Sequence, residues 1–177
     1  DKPFVLHGTA NASSKITAQL GKEKQHTTTA PDGTWKLTFK PRKATREPIT
    51  LTISDGDTTL TRTNILVGEV WLCSGQSNMV FMLRQATNAK ENIAEALTKK
   101  DLRIYDMRPR VYTDAINWDS ISLVKLNRLD YYLPTQWQTL TTDNAPQFSA
   151  IAYHFGAMLA DSLDIPIGLI CNAVGGA

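Results

Sequence analysis

The sequence predicts an α/β protein in two parts, an all-β domain over residues 1–66 and an α/β domain with a parallel sheet over residues 67–177. Three observations predict it. Apolar and polar residues alternate with period two through the first third of the chain, with turn signals between the runs. Two later apolar runs, Ile65 to Cys73 and Ile167 to Cys171, are continuous, as in strands covered on both faces, and each leads into a glycine-bearing turn. Between them lies a stripe of apolar residues at the helical period.

In the first part, Ile16, Ala18 and Leu20 alternate with polar neighbours. So do Trp35, Leu37 and Phe39, and again Ile49, Leu51 and Ile53. Asp32-Gly33 and Asp55-Gly56 supply turns between Thr27–Ala30 and Thr34–Phe39 and between Ile49–Ser54 and Thr58–Leu66. About six short strands with one apolar face and one threonine-rich face predict a small immunoglobulin-like β-sandwich. No charged or aromatic cluster in it points to catalysis.

In the second part, Asn88-Ala-Lys-Glu91 is a capping-box pattern, opening a helix with Ile93, Ala96 and Leu97 on one face. Leu102–Met107 reads as a strand. Residues 108–144 show no periodicity, and a loop of that length in a compact domain commonly serves function. Asn144-Ala-Pro-Gln147 is expected to open a helix that buries Phe148, Ile151, Ala152, Phe155, Met158, Leu159 and Leu163. Pro166 and the strand Ile167–Cys171 follow. Strand, helix, strand, helix, strand is the order of a doubly wound sheet. Three strands with an open edge make an incomplete one.

The bulk numbers narrow the function. Among 177 residues, 19 basic and 17 acidic side chains leave a net charge of +2, and no Lys/Arg run exceeds two residues. Neither nucleic acid nor an anionic membrane surface is indicated as a partner. No apolar stretch approaches the ~18–20 residues that span a bilayer. The chain opens with Asp1-Lys2-Pro3 rather than methionine, so removal of an N-terminal segment is expected, by a secretory cleavage or by trimming. Cys73 and Cys171 each end an apolar run and read as buried thiols, although a cross-strand bond stays open if their strands are neighbours. Without a C-x-x-C, and with His7, His26 and His154 scattered, no metal or cofactor is expected.

Ser77 is the candidate of interest, in Cys73-Ser-Gly-Gln-Ser-Asn-Met79. A serine in a tight turn after a parallel strand stands where an acyl-transfer nucleophile is needed. Gly75 permits close backbone approach, and Gln76 and Asn78 complete the turn. The Ser77 and Asn78 amides are natural oxyanion donors, and Gly175-Gly176 at the end of the second apolar run offers another. The plainer reading is a surface turn, since Gly-Gln-Ser-Asn is ordinary turn composition. The pattern is neither G-x-S-x-G nor a phosphate loop.

Gly68-Glu-Val-Trp-Leu-Cys-Ser-Gly-Gln-Ser-Asn-Met79 closely resembles the first motif of the sialate O-acetylesterase family, G-[DE]-V-W-L-C-S-G-Q-S-N-M, within the SGNH (GDSL-like) esterases. Phe148-Ser-Ala-Ile-Ala-Tyr153, Pro166-Ile-Gly-Leu-Ile170 and Gly175-Gly176 are similar to its later F-S-A-x-x-Y, P-[IV]-G-L-I and G-G-[ST] signatures. The resemblance covers nearly the whole chain. It implies the first part of an SGNH-type three-layer α/β/α domain, incomplete here, preceded by the β-domain. It implies Ser77 as nucleophile, with the backbone N–H groups of Ser77 and of Gly176 or its neighbour as oxyanion donors. The implied reaction is removal of an acetyl ester from a sugar by a secreted or periplasmic protein. O-acetylated sialic acid is the expected substrate.

Two features depart from the family pattern. Ala177 stands where the family has Ser or Thr. The family's D-x-x-H base is matched by no histidine, since Phe4, Glu23 and Ile151 stand three residues before His7, His26 and His154. The isolated chain is therefore expected to be inactive, its base and acid supplied by the remainder of the same enzyme. His154 reads as a helix-face residue, and Glu69 lies more than a strand's length from Ser77. Two alternatives remain. One is a non-catalytic carbohydrate-binding module using Trp35, Trp71 and Trp137; the other is an acetyl esterase of plant polysaccharides.

Overall fold

In a computed structural model, which describes residues 2–111 and 117–176, the chain divides into two compact units, Asp1–Val67 and Gly68–Ala177. The expectations at Ala177 and within residues 112–116 lie outside the described residues.

Among the described residues the first unit holds six strands: β1 (Phe4–Thr9), β2 (Lys15–Leu20), β3 (Glu23–Thr28), β4 (Thr34–Phe39), β5 (Thr45–Ser54) and β6 (Thr59–Val67). β1 pairs antiparallel with β4, and a second antiparallel sheet has the order β3-β2-β5-β6. The alternation read from the sequence sets their inward faces. Ile16, Ala18 and Leu20 from β2, Leu37 and Phe39 from β4, and Leu51 from β5 form one buried core, with Trp35, Ile49 and Ile53 packed against it. The predicted turns form through side-chain acceptors. Asp32 Oδ1 accepts from the Thr34 amide and hydroxyl at 2.9 and 2.8 Å, and Asp55 Oδ1 accepts from the amides of Asp57 and Thr58.

The second unit is built on a parallel sheet of β7 (Glu69–Gly75), β8 (Leu102–Met107) and β9 (Ile167–Ala173) in the order β7-β9-β8. Its helices are α1 (Ser77–Val80), α2 (Ala89–Ala96), α3 (Ser120–Asn127) and α4 (Ala150–Leu163). The core joins Leu102 and Ile104 of β8, Ile167, Leu169 and Cys171 of β9, and the small residues of α4. Gly156 is required there, because a Cβ on it would stand 2.5 Å from the Leu169 side chain. Among the described residues no helix is long and apolar enough to cross a membrane.

Four expectations are corrected. β7 is parallel, as expected, but it is an edge strand rather than a covered one: Val70 is 61% exposed and Leu72 64%, and within it only Cys73 is buried. Asn88 does not form the capping box. Its backbone is left-handed at φ 57°, which turns its side chain away from the helix amides. Residues 108–144 are not all irregular, since they contain α3, capped by Asp119 through the amides of Ile121 and Ser122.

The fourth correction concerns α4. Residues 145–147 form a separate 3-10 turn, Phe148 is extended, and the helix starts behind Ser149, whose Oγ accepts from the Ala152 amide at 3.2 Å. Its buried face is Ala152, Tyr153, Gly156, Ala157 and Ala160, while Ile151, Phe155, Met158 and Leu163 of the predicted stripe are exposed. Small residues bring the helix axis close to the sheet, Tyr153 is buried beside them, and Ile151, Phe155, Met158 and Leu163 are turned outward.

Candidate active site

β7 carries the chain to the carboxyl end of the sheet, where parallel α/β sheets bind ligands. Gly68 starts this path: a Cβ there would lie 1.9 Å from the Pro166 carbonyl oxygen, the acceptor of the Glu69 amide at 3.1 Å. At the other end Gly75 lets the chain fold over itself, its virtual Cβ 3.2 Å from the Cβ of Met79. Gln76 follows as the N-cap and Ser77 is the first residue of α1. Ser77 is exposed, as are Gln76 and Asn78. The Val80 amide bonds to the Gln76 carbonyl at 3.0 Å, which leaves the Ser77 and Asn78 N–H groups without a partner among the described residues.

The second glycine turn leaves the sheet beside this one. Gly75 is in register with Ala173, and the Val174 amide donates to the Gly75 carbonyl at 3.2 Å. Gly176 has φ 77°, a backbone that L side chains rarely adopt. Strand order thus puts the Ser77 turn and the Gly175-Gly176 turn on neighbouring strands at one end of the sheet.

Beneath them lie the two thiols. Cys73 and Cys171 are register partners, and both are free and buried. Burial pushes the Cys171 thiol up to about 12 and raises that of Cys73. Both thiols stay protonated near neutrality and are poor nucleophiles, which leaves exposed hydroxyls, that of Ser77 among them, as the available ones. Ser149 lies over this floor, its Oγ 3.4 Å from Met79 Sδ.

No base accompanies Ser77: among the described residues no histidine or carboxylate hydrogen-bonds to it. His154 is exposed on α4 with its ring 5.1 Å from that of Tyr153, and His7 and His26 are exposed on β1 and β3 of the first unit. Glu69 opens β7 at the end opposite Ser77, its carboxylate accepting from Trp71 Nε1 at 3.2 Å. Trp71 meets Phe155 edge to face at 5.2 Å, and Trp137 packs on Tyr105 and Gly168. Among the described residues no cluster of His, Cys, Asp and Glu could hold a metal ion.

The sequence did not point to Ser149, Tyr132 or Asn172. Ser149 immediately before an apolar helical run is an N-cap signal, masked by the stronger-looking Asn144-Ala-Pro. Tyr132 donates its hydroxyl to Asn172 Oδ1 at 2.6 Å, near the end of β9, a contact across 40 residues that no local pattern carries.

This geometry has a counterpart of known class. A carbohydrate acetylesterase from Xanthomonas citri, known from a crystal structure, superposes on the whole of this chain with a TM-score of 0.82 at 25% identity, over 38% of its own length. The sequence resemblance is more particular. Along 96% of its length the chain aligns with sialate O-acetylesterases, at 30% identity to that of Rattus norvegicus and 29% to that of Homo sapiens, so the kinship inferred from the Gly68–Met79 motif holds. The chain spans about a third of the length of these curated relatives, 31% and 32%. No protein-family model matches it.

Proposed function

We propose that this chain carries the nucleophile-bearing part of a serine esterase that removes O-acetyl groups from sugars, with O-acetylated sialic acid as substrate. The placement of Ser77 carries the reading: exposed at the exit of β7, beside the glycine turn that ends β9, inside the shared motif. The accompanying fold reading is an immunoglobulin-like sandwich and the first part of an SGNH-type three-layer domain. It is supported by two sheets sharing one core in the first unit, and in the second by a parallel sheet with a helix-covered face. The location that goes with this reading is secreted or periplasmic, where O-acetylated glycans are met.

In this mechanism Ser77 Oγ attacks the acetyl carbonyl while a base takes its proton. The oxyanion is received by the N–H groups of Ser77 and Gly176. The tetrahedral adduct collapses, the sugar hydroxyl leaves with a proton, and water hydrolyses the acetyl-serine. The base and its orienting acid come from the remainder of the same enzyme, in a D-x-x-H segment. The chain alone is accordingly inactive.

The test is acetate release from O-acetylated sialic acid by protein that includes a D-x-x-H segment. Ser77→Ala should lower kcat on the order of 10⁴-fold or more. The isolated chain should hydrolyse an aryl acetate no faster than buffer; Ser77-dependent turnover by the chain alone would refute the missing base.

A second reading, a carbohydrate-binding module, has one observation in its favour. Trp137, 46% exposed, borders a shallow groove of about 500 Å3 lined with Gln136, Gln138, Asp143 and Asn144. Amides beside an aromatic ring suit sugar hydroxyls and ring faces. Glycan binding that survives Ser77→Ala but not Trp137→Ala, without Ser77-dependent hydrolysis, would favour it.

A further inference from the structure

At the end of the sheet where Ser77 stands, the farthest strand delivers a cation that the mechanism does not use. Arg108 directly follows β8, and the parallel order β7-β9-β8 places it two interstrand spacings from the exit of β7, about 10 Å. Its guanidinium is oriented from both sides. Nε donates to Asp106 Oδ2 at 2.8 Å and Nη1 to Gln147 Oε1 at 3.1 Å, while Nη2 has no partner among the described residues. The Arg108 side chain is 44% exposed and that of Asp106 23%, so the cation is the more accessible member of the pair.

The segment holding Arg108 also holds the serine turn. Gln147 is followed by Phe148, whose carbonyl accepts from the Leu83 amide at 2.9 Å, by Ser149 against Met79, and by Ala150, whose amide donates to the Phe81 carbonyl at 2.8 Å. Residues 147–150 therefore touch Arg108 at one end and the chain just after Ser77 along their length. Beside Arg108 lies a cleft of about 200 Å3 lined by Asp106, Leu133, Thr135, Gln138 and Asn144. Amide and hydroxyl groups facing an apolar wall suit a sugar ring, which is polar at its rim and apolar on its face.

We propose that Arg108 receives the carboxylate of an acidic sugar whose ring lies in this cleft and whose acetylated tail points toward Ser77. A sialic acid carries its carboxylate at one end and the hydroxyls of its glycerol-like tail at the other, so the two chemistries fall at two places along one sheet end. The proposal rests on the esterase reading for its Ser77 end only. Arginine suits the role because its planar fork offers parallel donors to a carboxylate, and Asp106 and Gln147 already fix its plane.

The experiment is an NMR titration of the chain with free sialic acid and with its neutral carboxamide. Wild-type protein should bind the acid about tenfold more tightly than the amide. Arg108→Gln should lower affinity for the acid to that for the amide, leaving the amide unchanged, and Arg108→Lys should keep part of the preference. Circular dichroism checks that both variants are folded. Equal binding of acid and amide by the wild type, binding of neither, or a preference that persists in Arg108→Gln overturns the proposal. Ser77-dependent hydrolysis with no acid preference keeps the esterase and removes the cleft. An acid preference without Ser77-dependent hydrolysis keeps the cleft and removes the esterase.

Discussion

Cys171 and Tyr153 tie the second unit's stability to pH. Burial raises the Cys171 thiol from 9 and the Tyr153 phenol from 10, each to about 12. Both are neutral below these values, and the folded state holds their protons longer than the unfolded chain. The stability they contribute is fully present below pH 9 and is lost as pH rises through about 12. The unfolding midpoint should therefore fall from pH 9 upward, and Cys171→Ala should make that fall shallower. An unchanged slope in this variant would dissociate the thiol from the effect. Ser77, exposed and off the sheet, should leave this pH dependence alone when changed to alanine.

At the scale of elements, α4 is the most informative case. A stripe of large apolar residues was sufficient to identify a helix, but not to orient it. The helix buries Ala152, Tyr153, Gly156, Ala157 and Ala160, with Gly156 letting it approach Leu169, and it presents Met158 at 70% exposure. Met158→Lys should change stability by no more than about 0.5 kcal/mol, as at other surface sites. Ala157→Leu should cost about 1–3 kcal/mol by overfilling the core. Urea denaturation measures both, and the reverse ranking would restore the orientation inferred from periodicity. The strands of the first unit were legible because period-two alternation and the Asp-Gly turns act locally. β8 was legible as well, with bounds matching Leu102–Met107. The capping of α2 and α4 was not, because a cap depends on backbone angles that the residue type only biases.

At the scale of the molecule, β7 is an edge strand with Val70 and Leu72 exposed, and among the described residues no strand pairs with its outer edge. Such an edge invites pairing with another chain. The chain should self-associate as its concentration rises, and Leu72→Lys should shift sedimentation toward monomer with little loss of stability. Monomeric wild-type protein at high concentration would argue against an adhesive edge. The candidate site shows the same division of legibility. Ser77 was visible because its motif is contiguous, and Gly176 because a second glycine turn closes a second apolar run. Arg108, Asn172 and Ser149 were not, since only the order β7-β9-β8 and the seating of residues 147–150 bring them to that end of the sheet.

That order also has a consequence in time. β9 is the last of the three strands to leave the ribosome, yet it is the middle one, and β7 and β8 pair with nothing else in their sheet. Until residues 167–173 emerge, β7 and β8 lack the strand that joins them, and β7 waits for it across about a hundred residues of chain. The two glycine turns therefore come together only once β9 has joined the sheet, and synthesis interrupted before residue 167 leaves the Ser77 turn without the glycine turn beside it.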